Sequence, residues 1–164
     1  MKNLTATRKG ILTGLIMIGF SLLIYYSKGN FENGLQYVTY AMYIAGIIWT
    51  LIAYQQSSSE NKTFKNYFSE GFKCFVVVTL LMVAFTFIFL KLNPGMKEHM
   101  ALKTRAELNN KGNYMPAQVD EMVEKSKQYF VTMLVSMATF GYLIIGALIT
   151  AITSGFLSQQ KKTG

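Results

Sequence analysis

The chain has 164 residues, of which 51% are hydrophobic, 14% aromatic and 15% charged, with a formal net charge of +8. That length holds one domain, and a lone cysteine, Cys74, excludes an intrachain disulfide and a cysteine-based metal site. The positive charge lacks the basic stripe with interleaved stacking aromatics that nucleic acid requires, so the expected partner is the lipid bilayer, whose anionic headgroups meet Lys and Arg beside apolar stretches.

No Asp, Glu, Lys, Arg or His occurs from Gly10 to Tyr26, Leu35 to Tyr54, Cys74 to Leu90 or Val131 to Leu157. A soluble helix of such length needs a charged face, and four fully buried helices in so small a chain would have nothing to cover them. Each stretch matches the ~20 residues that cross a ~30 Å hydrocarbon core. The expected fold class is all-α: a polytopic membrane protein with four transmembrane helices in one bundle, spanning residues 1–164 as a single domain.

In chain order, residues 1–9 form a short polar tail, and "GILTGLIMIGFSLLIYY" is the first span, closed by the interfacial pair Tyr25 and Tyr26. A positive start before an apolar run also describes a signal peptide, but two tyrosines stand where cleavage wants small residues, so a retained span is expected. "SKGNFENG" is a tight connection with Asn33-Gly34 as its turn. The second span carries Tyr37, Tyr40 and Tyr43 near its entry, on one helical face, and Trp49 and Tyr54 toward its exit. A polar loop then leads into "TFKNYFSEGFK", where Phe64, Tyr67, Phe68 and Phe72 read as one aromatic side lying at the interface before the third span turns inward. Asn93-Pro94 ends that span.

Residues 91–128 form the one long charged passage, expected outside the bilayer. Met96 to Leu108 reads as a short, weakly amphipathic helix that "NNKGN" breaks. Pro116 then opens a last helix with acids close behind it at Asp120, Glu121 and Glu124. Nothing from Ala117 to Leu157 stops it, so one helix of about 40 residues and ~60 Å should extend beyond the bilayer.

Orientation follows from Lys and Arg. Eight stand on the side of the termini and eight on the other, but three of the former lie within the first nine residues, beside the first span. Positive-inside bias therefore places both termini in the cytoplasm and loop 91–128 in the periplasm, with the chain in the cell inner membrane.

No ionisable residue lies within a span, which argues against a proton-coupled pump or a charge-lined channel. His99 lacks partners at metal-ligand spacing and reads as part of a solvated face. Tyr67, Glu70 and Lys73, at the approach to span three, form an interfacial candidate for headgroup contact, with an ordinary ion pair as the plainer reading. No serine has a base and orienter, so no catalytic residue, cofactor or metal is expected and the chain does not read as an enzyme. Gly10, Gly14, Ala147, Ala151 and Gly155 recur every fourth position on spans one and four, a face for close helix packing within the bundle or for a partner. The hydroxyls Thr13, Ser21, Thr39, Thr79, Thr86, Ser136, Thr139 and Thr150 are expected to bond to the preceding turn's carbonyls, or to line a cavity for an uncharged substrate.

"GIIWTLIAYQQ", "TFKNYFSEGFK", "LKLNPG" and "NKGNYMPAQVDEMVEKSKQYF" together resemble the family known as domain of unknown function 4199, small four-span membrane proteins of Bacteroidota. The likeness runs from about Ile11 to Lys161. It implies no catalytic residues. It does imply an accessory place in envelope glycan assembly, beside glycosyltransferases of the polyprenyl-phosphate type. The expected function is a non-catalytic accessory or scaffold subunit that pairs with another membrane protein or with itself. The alternative is an oligomeric carrier or flippase-like protein for an uncharged or lipid-like substrate.

Overall fold

The computed structural model describes residues 4–28, 35–57 and 62–160; the expected Asn33-Gly34 turn lies outside them. Five helices are present: α1 (Ala6–Lys28), α2 (Leu35–Gln55), α3 (Phe64–Leu92), α4 (Gly95–Lys111) and α5 (Pro116–Gln160). All except α4 are long and apolar enough to cross a membrane. The fold class is the all-helical one expected, and no strand occurs among the described residues.

The ends of these helices have local causes. After α3 the Asn93 side-chain amide donates to Phe89 O at 2.9 Å, and Pro94, without an N–H, cannot continue the ladder. At the end of α4, Gly112 adopts φ 65°, a left-handed conformation that L side chains resist, and its N–H reaches Asn109 O at 3.1 Å. Pro116 then takes the first helical position, while Gln118 Oε1 accepts from the Met115 N–H at 3.0 Å. The 45 residues of α5 make a helix of ~67 Å, more than twice the thickness of a hydrocarbon core.

α3 differs from expectation in one respect. Its first turns are continuous with the span, not a separate interfacial segment. Phe64, Phe68 and Phe72 do form a stripe, with ring centroids 5.9 and 6.4 Å apart in succession. Tyr67 leaves that stripe and is fully buried. At three residues past Phe64 and five before Phe72, a helix of 3.6 residues per turn turns it toward a neighbouring face, and here that face meets protein.

The chain divides into two compact units, Met1–Met82 with Thr139–Gly164, and Val83–Ala138. In the first, α1 packs on α2, and all four long helices contribute to a core that includes Met17, Tyr43, Ile47, Leu51, Cys74 and Val78. Two of the close approaches between helices lie at Gly10 and Gly146. A Cβ at Gly10 would sit 2.8 Å from the Cys74 carbonyl oxygen of α3, and one at Gly146 would meet the Tyr43 hydroxyl and lie 2.8 Å from the Phe75 ring. In lipid, where packing and not water exclusion drives association, such contacts hold spans together.

The second unit holds the end of α3, α4 and the first half of α5, and its charged part is a helical hairpin of α4 with the start of α5. Ala101 of α4 and Val119 and Val123 of α5 are buried together, with Leu108 packed against them. Arg105 pairs with Asp120 at 2.7 Å and Lys127 with Glu98 at 2.8 Å across the two helices. The short helix runs past the expected Leu108 and through Asn109–Lys111 of the expected break, stopping at Gly112, and it packs on the start of α5 around a small core.

Candidate functional site

The chemistry-bearing side chains of the first unit gather where the end of α2, the start of α3 and the end of α5 meet. Thr50 lies with its hydroxyl 2.9 Å from Gly46 O and 3.3 Å from the Cys74 sulfur. Cys74 is thus a buried packing residue with a polar neighbour. The Tyr54 and Tyr67 rings meet edge to face at 5.4 Å. Lys62 is largely buried; its ammonium donates to Gln55 O at 2.7 Å and to Ser57 O, closing the end of α2, and lies 5.4 Å from the Tyr54 ring centroid. Lys9, read from sequence as a tail charge, is also buried, with its ammonium 5.7 Å from the Trp49 ring centroid.

Deeper in the unit, the Tyr43 hydroxyl donates to Tyr142 O at 2.9 Å, and the Tyr40 and Tyr43 rings both contact Tyr142 at 5.4 and 5.3 Å. Tyr37, expected to share their face, is exposed. Thr79 bonds back to Phe75 O at 2.8 Å, as expected for a hydroxyl in a span. Thr150 does not: its hydroxyl, that of Ser154 and that of Tyr67 are buried and have no hydrogen-bond partner.

The sequence candidates separate. Gly10 and Gly14 face α3: a Cβ at Gly14 would stand 2.8 Å from the flexible end of Leu81. That part of the small-residue face is used inside the unit. Ala147, Ala151 and Gly155 are half-buried along the edge of the α5 contact, and at Gly155 no atom lies within 4 Å of where a Cβ would stand. Glu70 and Lys73 form an ion pair at 2.7 Å on the outer side, while Tyr67 points inward, so the three do not make one site. The physical reason is the 100° step of a helix, which puts Tyr67 on a different face from Lys73. His99 is exposed, and no group of three or more potential metal ligands occurs among the described residues.

Sequence reasoning missed Thr50, Ser154, and the close approaches at Gly46, Gly71 and Gly146. A signal existed for one of them: "TAITS" sets two hydroxyls four residues apart on one face of a charge-free helix.

The chain matches the family described as protein of unknown function (DUF4199) over residues 8–159. It belongs to that family. No curated protein and no solved structure matches the chain. Membership of DUF4199 thus brings no assigned residue, and the four apolar helices establish a membrane protein without a shown role.

In the hairpin of this DUF4199 member, the Lys127 hydrogen bond holds the Glu98 carboxyl below the usual glutamate range, with the charges of Lys127 and Lys97 acting the same way. A carboxylate depressed in the folded state contributes stability that is present above its unfolded value, ~4.3, and is lost as pH falls through the folded value. The protection factors of amides over 95–111, taken relative to the unfolded rate at each pH, should therefore hold from neutral pH down to about 4.3 and fall below it. Glu98→Gln should weaken protection slightly at neutral pH and flatten the acid step; an unchanged acid step in that variant would remove Glu98 from the account.

Proposed function

We propose that this protein is a non-catalytic membrane subunit that works by pairing with another integral membrane protein. The observation that carries the reading is the surface of α5. Its most apolar window is 17% buried within the molecule, against 33% for each of the other three spans. Phe140, Ile144, Leu148, Ile152 and Phe156 stand exposed along it, edged by the small residues Ala147, Ala151 and Gly155. Lipid can cover apolar side chains, but a small-residue edge with open space beside Gly155 gains most from a helix that can come close. Positive-inside bias supports an inner-membrane setting with cytoplasmic termini and a periplasmic 91–128 segment. The family resemblance suggests a polyprenyl-phosphate glycosyltransferase system as the class of partner, with the hairpin as a second contact.

The test is purification of the native protein in gentle detergent, wild type beside Gly155→Leu and Ala151→Leu. A second membrane protein should co-purify at one-to-one stoichiometry with wild type and be lost from both variants, whose own thermal unfolding stays unchanged. Wild type recovered alone as a monomer sinks the reading. Wild type recovered as a homo-oligomer instead favours the carrier alternative for an uncharged or lipid-like substrate, to which the unpartnered hydroxyls of α3 and α5 lend support.

A further inference from the structure

We propose that Tyr67, Thr150 and Ser154 form a buried site, on the seam between α3 and α5, for a small uncharged hydrogen-bonding molecule. Two contacts fix the register of that seam. A Cβ on Gly146 would meet Phe75, and one on Gly71 would meet Thr150, so the helices run antiparallel and each step of four up one is matched by four down the other. Extending the register by one turn sets Tyr67 opposite Ser154. Thr150, one turn before Ser154 on the same face of α5, completes a group of three hydroxyls.

All three residues are fully buried or nearly so, and none of the three hydroxyls has a hydrogen-bond partner. Buried hydroxyls are ordinarily satisfied, and elsewhere in this unit they are: Thr50 and Thr79 reach the carbonyls four residues back. Thr150 instead packs against Gly71 of α3: its Cγ2 methyl comes nearest to where a Gly71 Cβ would be, with Oγ1 beside it at 3.0 Å. Gly71 is what leaves room for it.

The donor set defines the ligand. Three hydroxyls can each donate and accept, and none carries charge, so the group recognises a neutral donor–acceptor molecule and not an ion. Water needs two to four such partners, and a small polyol offers the same chemistry. The site adjoins the polar end of the bundle through the Tyr54–Tyr67 ring contact, with Lys62 beyond it. A molecule held there bridges α3 and α5. This site stands whether or not the protein has a partner, since it depends on none of the α5 surface used above.

The test is thermal unfolding of purified full-length protein carrying Tyr67→Phe, Thr150→Val or Ser154→Ala. With a bound molecule, each variant should lower Tm by about 2–4 °C, and Tyr67→Phe with Ser154→Ala should lower it by less than the sum, because both touch one ligand. Dry hydroxyls give the opposite sign: removing an unsatisfied group leaves Tm unchanged or raises it, and the pair is additive, which overturns the proposal. A glycerol titration separates the sources. A rise in Tm that wild type shows and the triple variant lacks assigns a polyol, whereas equal responses assign water. Should a variant not fold, magnetisation transfer to Thr150 and Ser154 in the wild-type protein from water and from added glycerol serves instead: transfer from one of them is expected, and its absence from both refutes an occupied site.

Discussion

Replacing Gly10 with alanine is expected to separate α1 from α3 and open Cys74 to solvent. The added Cβ would lie 2.8 Å from the Cys74 carbonyl oxygen, 3.2 Å from Val77 Cβ and 3.3 Å from Cys74 Cα. Two of these three are backbone atoms, which cannot rotate aside as a side-chain tip can. Overpacking of this kind costs about 1–3 kcal/mol, more than the ~1 kcal/mol that alanine gains over glycine as a helix former. Cys74 is the sole cysteine and fully buried, so maleimide labelling reads the separation directly. A loss of ~1.4 kcal/mol in the closed state appears as tenfold faster labelling. Gly14→Ala should do much less, because the atom it meets is the flexible end of Leu81. Gly19→Ala and Gly155→Ala, with nothing within 4 Å, should leave labelling unchanged. Slow labelling in Gly10→Ala, equal to that in Gly19→Ala, would show that the helices do not meet there.

A charge placed in the small core of the hairpin should release α4. Val123 is buried with Ala101 and Val119, and only Leu108 adds to the cluster. Val123→Asp puts an unpaired carboxylate among them, a loss on the order of 3 kcal/mol. So small a core has no reserve to absorb it, and the ion pairs at its edge are exposed and screened, so they hold little. Hydrogen exchange over Gly95–Lys111 is expected to rise to the level of an unfolded segment, while Cys74 labelling stays slow because it belongs to the other unit. Protection of α4 that survives Val123→Asp would mean that the helix is held by something other than this apolar contact.

The sequence determined by itself that the chain has four helices long and apolar enough to cross a membrane, and it did so through absence. Four stretches without a single Asp, Glu, Lys, Arg or His have no soluble helical solution, since a charged face is what a soluble helix presents to water. It also determined the punctuation. Pro94 lacks the N–H that a continued helix needs, Gly112 tolerates a left-handed backbone, and Pro116 starts the last helix with a φ already in the helical range. These are local rules, acting over a turn or two, and they read directly from residue order.

Tertiary structure decided which face of each helix meets protein. In a soluble helix the polar face marks the outside; in a lipid-embedded one, both faces are apolar and the pattern carries no such mark. Gly10 and Gly155 look alike in sequence, yet one touches a neighbouring backbone and the other faces open space. Tyr67 reads as interfacial beside Phe64, Phe68 and Phe72, yet it lies inside. Thr79 and Thr150 are both hydroxyls in charge-free helices, yet only the first reaches a carbonyl. In each pair the difference lies in what the opposite helix brings, and the register of α3 against α5 is a property of two segments separated by a hairpin, which no local spacing encodes.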